Sequence, residues 1–531
     1  MPEAPAPRRL GGALAVGVGI LLSRIAGLIR SRAIAYYLGQ GVATDAFNAA
    51  LRIPNLLQNL LGEGVLSASF IPVYARLRAE GKHDEAARVA RAIGTLLALV
   101  AAAITLVGVL AAPVLVDLLV PGYDATARDL TIVLVRVLFP GVALLVMSAW
   151  CLGVLNSHRR FFLSYVSPVL WNAAIITLTI VAGRRLAGHD DDIATWIAWG
   201  TVIGSAAQFL VQLPTVIALL RGITPSLAVR DPGVQTTLRA FVPVVFGRGS
   251  VQISGYVDQL LASYLGKGIV TAMANAQILY MLPISLFGMA VSAAELPEMS
   301  SATGSAADRA EKLQDRLRGA LRRVVFLVVP SAVAFVVIGR AIVALLFQTG
   351  RFSATDTTIV WIVLAGSALG LSAGTQGRLL GSAFYALGDP KPPLRAALVR
   401  VAITGVAGWA FALPLRDTFG YAPEWGAFGL TASAGFAAWI EFLLLKRWLD
   451  ARIGKVAIPA RLGFGALAAA AVAGAAGYGV AFAVKQLTSR TWPVSLAAIA
   501  AFGAVYLGIM TIAKVPEARD LINKVLRRRR R

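Results

Sequence analysis

Residues 19–39 read GILLSRIAGLIRSRAIAYYLG and residues 44–74 read TDAFNAALRIPNLLQNLLGEGVLSASFIPVY. Each run is long and apolar enough to cross a bilayer as a helix, which takes ~20 residues, yet each carries arginines inside the apolar stretch. Counted from about residue 11 at ~1.5 Å per residue, Arg24 lies roughly 20 Å along its helix, near mid-membrane, and Arg30 about two turns beyond it. A central arginine facing lipid costs ~2.5–3.5 kcal/mol even on a lenient insertion scale, so both are expected to face a cavity or a partner. On the helical wheel they share one broad half of the helix, beside the small residues Gly19, Ser23, Gly27 and Ser31, while Arg32 points to the other side.

The rest of the chain has the same character. Of its 531 residues, 57% are hydrophobic and 15% charged, against roughly 25% charged in soluble domains. Hydropathy and helix breakers predict an all-α polytopic membrane protein of about fourteen helices, near residues 11–38, 47–77, 87–119, 128–155, 161–183, 193–220, 237–265, 271–299, 318–348, 356–387, 393–414, 425–448, 459–484 and 492–513. No long polar block interrupts them. The expected organisation is two pseudo-symmetric six-helix lobes around a central cavity, residues 1–222 (helices 1–6) and 223–448 (helices 7–12). Residues 449–531 supply helices 13–14 and a basic cytoplasmic tail.

An internal repeat supports the two lobes. Residues 37–49, YLGQGVATDAFNA, and 264–276, YLGKGIVTAMANA, agree at seven of thirteen positions, and each joins one long helix to the next. Both copies continue to a proline, a glycine, a Ser-Ala pair and another proline: Pro54, Gly62, Ser67-Ala68 and Pro72 against Pro283, Gly288, Ser292-Ala293 and Pro297. Copies six helices apart keep one orientation in the membrane, the parallel repeat of transporters that rock around a central cavity. Helices 1, 2, 7 and 8 are therefore expected to line it.

Several function classes fall away. One cysteine, Cys151, allows neither a disulfide framework nor a cysteine metal site, and no metal or cofactor is expected. His83, His158 and His189 fall in predicted connections, and no nucleophile, base and orienting group recur at a shared depth, so an enzyme is not expected. The formal net charge of +23 could suggest nucleic acid, but most Lys and Arg sit in short loops where membrane orientation explains them. The richer loops are those holding Arg76 to Arg91, Arg159–Arg160, Arg309 to Arg323 and Lys446 to Arg461, which puts both termini in the cytoplasm. Arg527–Arg531 then reads as an anchor on anionic membrane lipid. No nucleic acid partner is expected, and the chain is read as a monomer.

The second helix adds candidates. Asp45 stands near its start, Arg52 two turns inward, and Pro54 interrupts the backbone ladder beside Asn55, as in the broken helices of transport sites. Glu63, between Gly62 and Gly64, reads either as a structural carboxyl or as a gating group, with Ser23, Gly27 and Pro54 as gating or structural companions. Arg24, Arg30 and Arg52, with Asp45 as counter-charge, form a candidate anion site, because guanidinium groups stay charged and match phosphate oxygens bidentately. Arg248 and Arg378, also intramembrane, could extend it. The run GALAAAAVAGAAGYGVAF in helix 13 suits either a smooth groove for a lipid tail or close packing against a neighbour.

SRIAGLIR, TDAF, RIPNLL and EGVLSASFIPVY, with GRFSATDT and FYALGDPKPP further on, resemble the MurJ/MviN family of lipid II flippases in the multidrug/oligosaccharidyl-lipid/polysaccharide exporter superfamily. The resemblance spans essentially the whole chain. It implies movement of undecaprenyl-pyrophosphate-linked disaccharide-pentapeptide from the cytoplasmic to the periplasmic leaflet of the inner membrane by alternating access. It also implies substrate-binding roles for Arg24, Arg30, Asp45 and Asn55. Two departures stand out: Gln58 and Asn59 where the family often has an arginine pair, and Ile278 where it has a helix-8 arginine, leaving Arg52 and Arg248 to supply charge. Competing readings are a flippase for another polyprenyl-linked saccharide, a cation-coupled drug exporter, whose cavity would present acids, and a non-transporting scaffold. The driving force is open among membrane potential, sodium and proton; for a sodium site, helix 7 has one acid, Asp258, and helix 11 has neither Asp nor Asn.

Overall fold

The structure, a computed structural model, describes the backbone of residues 10–222, 224–285, 306–387, 389–457 and 459–529. It describes the side chains of these residues except 10–17, 246–254, 306–309, 522 and 524–529. The chain divides into two compact units, Met1–Leu260 and Leu261–Arg531.

In the first unit the helices are α1 (Leu10–Leu38), α2 (Val42–Leu61), α3 (Glu63–Ala79), α4 (His83–Leu110), α5 (Ala112–Leu119), α6 (Ala125–Ser157), α7 (Phe161–Arg185), α8 (Asp190–Leu219) and α9 (Pro232–Ser263), whose last turn enters the second unit. Helix α6 is central and packs on α2, α3, α4 and α8, while α7 packs between α8 and α1. One core gathers Phe47, Leu134, Val135, Leu138 and Phe139. A second gathers Leu66, Phe70, Ile93, Val146 and Trp150, and the Trp150 indole satisfies itself there by donating to the Ala90 carbonyl at 3.0 Å.

The second unit holds α10 (Ile269–Pro283), α11 (Ala306–Val337), α12 (Gly339–Phe347), α13 (Ala354–Ala368), α14 (Leu371–Ala386), α15 (Lys391–Ala412), α16 (Pro414–Phe419), α17 (Pro423–Ile453), α18 (Ala460–Leu487), α19 (Thr491–Ile512) and α20 (Pro516–Arg529). Helix α17 is its centre, packed by α13, α14 and α15, and α18 packs on α19 and α11. The small residues of α18 are consumed by this packing: Ala466, Ala469, Ala470 and Ala473 are buried against Phe326, Phe502 and Tyr506. The close-packed reading of that run therefore holds for its small-residue face, while Phe464, Tyr478 and Phe482 lie exposed on the other.

Among the described residues ten helices are long and apolar enough to cross a membrane, or eleven if α13 and α14, bent by 44°, form one span. The remaining predicted positions correspond to α1, α9 and the short apolar α10. Predicted helix 8 continues beyond α10 outside the described residues, and so do Gly288, Ser292, Ala293 and Pro297. At the α13–α14 bend, backbone meets backbone. A Cβ on Gly370 would stand 2.4 Å from Gly435 Cα of α17, and a Cβ on Gly435 would stand 2.8 Å from the Gly370 nitrogen.

The repeat has the same local form in both units. Helix α1 ends at Leu38 and α2 starts at Val42; the aligned segment starts α10 at the equivalent Ile269. Gly39 and its equivalent Gly266 both turn the chain at positive φ, 65° and 104°, which L side chains rarely adopt. Thr44 and Thr271, the conserved threonines of the two copies, are both buried.

Candidate functional site

The α1–α7 contact fixes the arginine-bearing face. Gly19 lets α1 lie directly on Tyr165, where a Cβ would come within 2.7 Å of the tyrosine Cβ, and an ideal Cβ on Gly27 would sit 3.9 Å from Asn172 Oδ1. Ser31 is buried and returns its hydroxyl to the Gly27 carbonyl at 3.1 Å. The stripe Gly19, Gly27 and Ser31, with the half-buried Ser23, is thus a packing surface against α7.

Beside this contact Arg30 is held against an aromatic ring. Its guanidinium carbon lies 4.8 Å from the centroid of the Trp171 ring, where the negative face of the indole attracts a cation. No hydrogen bond or ion pair engages it among the described residues, which leaves its N–H donors available. Arg24 is exposed and likewise has no such partner among the described residues. Neither is ion-paired with Asp45.

Arg52 is partly committed. Its Nη2 donates to the Gly255 carbonyl of α9 at 2.8 Å, and the Tyr256 hydroxyl donates back to the Arg52 carbonyl at 3.2 Å. A Cβ at 255 would stand 2.4 Å from Arg52 Nη2, so any larger residue there displaces the guanidinium from its present position. Arg248 has its side chain outside the described residues.

The acids and the proline behave differently from a simple reading of α2. The N-terminus of α2 is closed by Thr44, whose hydroxyl accepts from the Gly41 N–H at 3.0 Å. Asp45 is one residue further in and buried. Burial foremost, and then the Asp45 charge, hold the Tyr123 phenol well above its ordinary pKa. Pro54 is buried inside a helix that runs through it, and the break comes at Gly62, eight residues later, between α2 and α3. Pro54 removes one donor from the ladder without ending the helix; Gly62, extended and lacking a Cβ, ends it. Asn55 is exposed, and Glu63, also exposed, opens α3, where the helix dipole favours a carboxylate.

Arg24, Arg30 and Arg52 thus all belong to the first unit, and the guanidinium groups of the first two have no hydrogen bond or ion pair among the described residues. Sequence reasoning missed Trp171, Asn172, Gly255 and Tyr256. Of these, only Asn172, a polar residue one turn after Pro168 inside a predicted helix, carried a signal in the sequence.

With ten or eleven helices among the described residues long and apolar enough to cross a membrane, the fold is that of an all-helical, multi-pass membrane transporter. Comparison narrows the class. The family described as Lipid II flippase MurJ matches residues 34–503, and the chain belongs to this family. Lipid II flippase MurJ of Burkholderia cenocepacia is 33% identical over 431 residues, 80% of each chain. A probable lipid II flippase MurJ of Rhizobium tropici is 33% identical over 400 residues, 73% of each. The solved structure titled Lipid II flippase MurJ, inward closed conformation, superposes with a TM-score of 0.77 at 22% identity, over 96% of this chain and 100% of that one. An inward-facing multidrug resistance MATE transporter of the MOP superfamily superposes at 0.63 and 18% identity, over 83% and 98%. These superpositions bear on the fold.

Proposed function

We propose that the protein is a lipid II flippase, carrying undecaprenyl-pyrophosphate-linked disaccharide-pentapeptide from the cytoplasmic to the periplasmic leaflet of the bacterial inner membrane by alternating access. Arg24 and Arg30 bind the pyrophosphate. The observation that carries this reading is their pair of guanidinium groups without a hydrogen bond or ion pair among the described residues, one exposed and one held by an aromatic ring, in a chain matched by the family over residues 34–503. A guanidinium keeps its charge at any physiological pH and offers two parallel N–H donors to neighbouring phosphate oxygens. Arg52 adds charge with the donors that Gly255 leaves free, Asn55 offers an exposed amide, and Asp45 sets the local field from its buried position. Arg248 is a further candidate in α9.

The supporting organisation is two lobes, residues 1–222 and 223–448, with residues 449–531 as a terminal helix pair and basic tail. Both termini are cytoplasmic and the working unit is a monomer. The test is complementation of a strain depleted of its own lipid II flippase, with lipid II accessibility at the outer leaflet as readout. Wild-type chain restores growth and accessibility, and Arg24→Ala at equal membrane abundance does not. Failure of the wild-type chain, or full activity of Arg24→Ala, refutes the reading.

A further inference from the structure

The second unit carries a polar cluster that the pyrophosphate site does not use. Arg378 projects from α14 in the half that follows the 44° bend, exposed and without a hydrogen bond or ion pair for its guanidinium among the described residues. One turn earlier on the same face, Gly374 opens onto α10: an ideal Cβ there would be 3.7 Å from the Tyr280 hydroxyl. That hydroxyl also hydrogen-bonds to nothing among the described residues. Arg400 of α15 and Glu441 of α17 lie within its electrostatic reach, as does Arg378. Arg400 is already paired, its Nη1 lying 2.9 Å from Glu441 Oε2.

Charge decides which ligand fits. Arg400 and Glu441 cancel, which leaves Arg378 as one net positive charge with a phenol donor beside it. A pyrophosphate, with at least two negative charges, would be under-compensated here; a single carboxylate would be matched, taking the guanidinium fork and the phenol O–H. Broken helices border transport sites, and this one breaks at Leu369–Gly370, immediately before α14. Resting on the function proposed above, we infer that Arg378 and Tyr280, backed by the Arg400–Glu441 pair, form a second anion subsite that takes a carboxylate of the cargo's peptide.

The experiment measures binding of the purified full-length protein to three probes: lipid II, lipid II with its peptide carboxylates amidated, and undecaprenyl pyrophosphate. Arg378→Gln is expected to bind lipid II about tenfold more weakly, the effect of losing one charge-assisted hydrogen-bonded pair. It should leave the other two affinities and the melting temperature unchanged. Unchanged affinity for lipid II overturns the inference, and so does an equal loss for undecaprenyl pyrophosphate, which would make Arg378 a phosphate ligand. Arg24→Gln, measured in parallel, weakens all three probes. If it weakens none, the pyrophosphate reading fails whatever Arg378→Gln does.

Discussion

Replacing Trp171 with Leu removes the indole face from Arg30 while keeping an apolar side chain in the α7 position. The ring and guanidinium are 4.8 Å apart and Arg30 is half-buried, between the exposed limit of about 0.5–1 kcal/mol for such a contact and the desolvated limit of about 2. About 1–2 kcal/mol of positioning is therefore at stake, equivalent to roughly a 5- to 30-fold weaker affinity for lipid II. Trp171→Phe keeps a smaller aromatic face and should fall between wild type and Trp171→Leu. If Trp171 acts through Arg30, Trp171→Leu adds no further loss in an Arg30→Gln background. The assay is lipid II binding by the four proteins of this cycle at matched thermal stability, followed by accessibility in cells. Wild-type affinity in Trp171→Leu, or additive losses in the double variant, would refute the positioning argument.

Three further outcomes follow from the same geometry. Arg24→Lys and Arg30→Lys should fail to restore full flipping, because an ammonium is a point donor and cannot span two phosphate oxygens; full accessibility of lipid II in both would leave only an electrostatic role for these charges. Gly255→Ala places a Cβ on Arg52 Nη2 and breaks the 2.8 Å bond to the 255 carbonyl; a loss of about 1–3 kcal/mol is expected, read as a lowered denaturation midpoint. Glu517 of α20 meets Arg322 through contacts of 2.7 and 3.2 Å. Burial pushes its carboxyl up, but the Arg322 hydrogen bond and charge pull it further down, below the ordinary value. The docked helix thus gains stability above the usual glutamate range and loses it as pH falls through and below that range. The hydrogen-exchange protection factors of residues 516–521, corrected for the intrinsic pH dependence of amide exchange, should fall at acid pH in wild type and show no such fall in Glu517→Gln.

The spans were legible in the sequence because apolar length is a bilayer requirement, and the repeat was legible because its turn demands glycine: Gly39 and Gly266 sit where the hairpins reverse. The breaks were harder to read. Apolar periodicity runs without change through Ala111, Ile338 and Leu369–Gly370, where helices end and restart, and the eye-catching Pro54 lies in unbroken helix while Gly62 makes the break. For the site, burial cost alone identified Arg24 and Arg30 as unusual. What holds Arg30 was not readable, since Trp171 is more than a hundred residues from it in sequence and an aromatic in an apolar helix does not by itself say which cation it faces. Arg400 and Glu441 were visible as charges within predicted helices, but their pairing needed the packing of α15 on α17.

The contact between Gly370 and Gly435 limits how this protein can change over time. When a new side chain collides with another side chain, a second substitution that trims the neighbour restores the fit. At these two positions the obstacle is main chain on both sides, 2.4 Å and 2.8 Å away, and no substitution elsewhere can shorten a backbone. The bend is therefore a point without compensating mutations. Random mutagenesis followed by selection for growth should recover second-site suppressors for defects in the surrounding helices, and none that act by trimming a side chain for Gly370→Ala or Gly435→Ala.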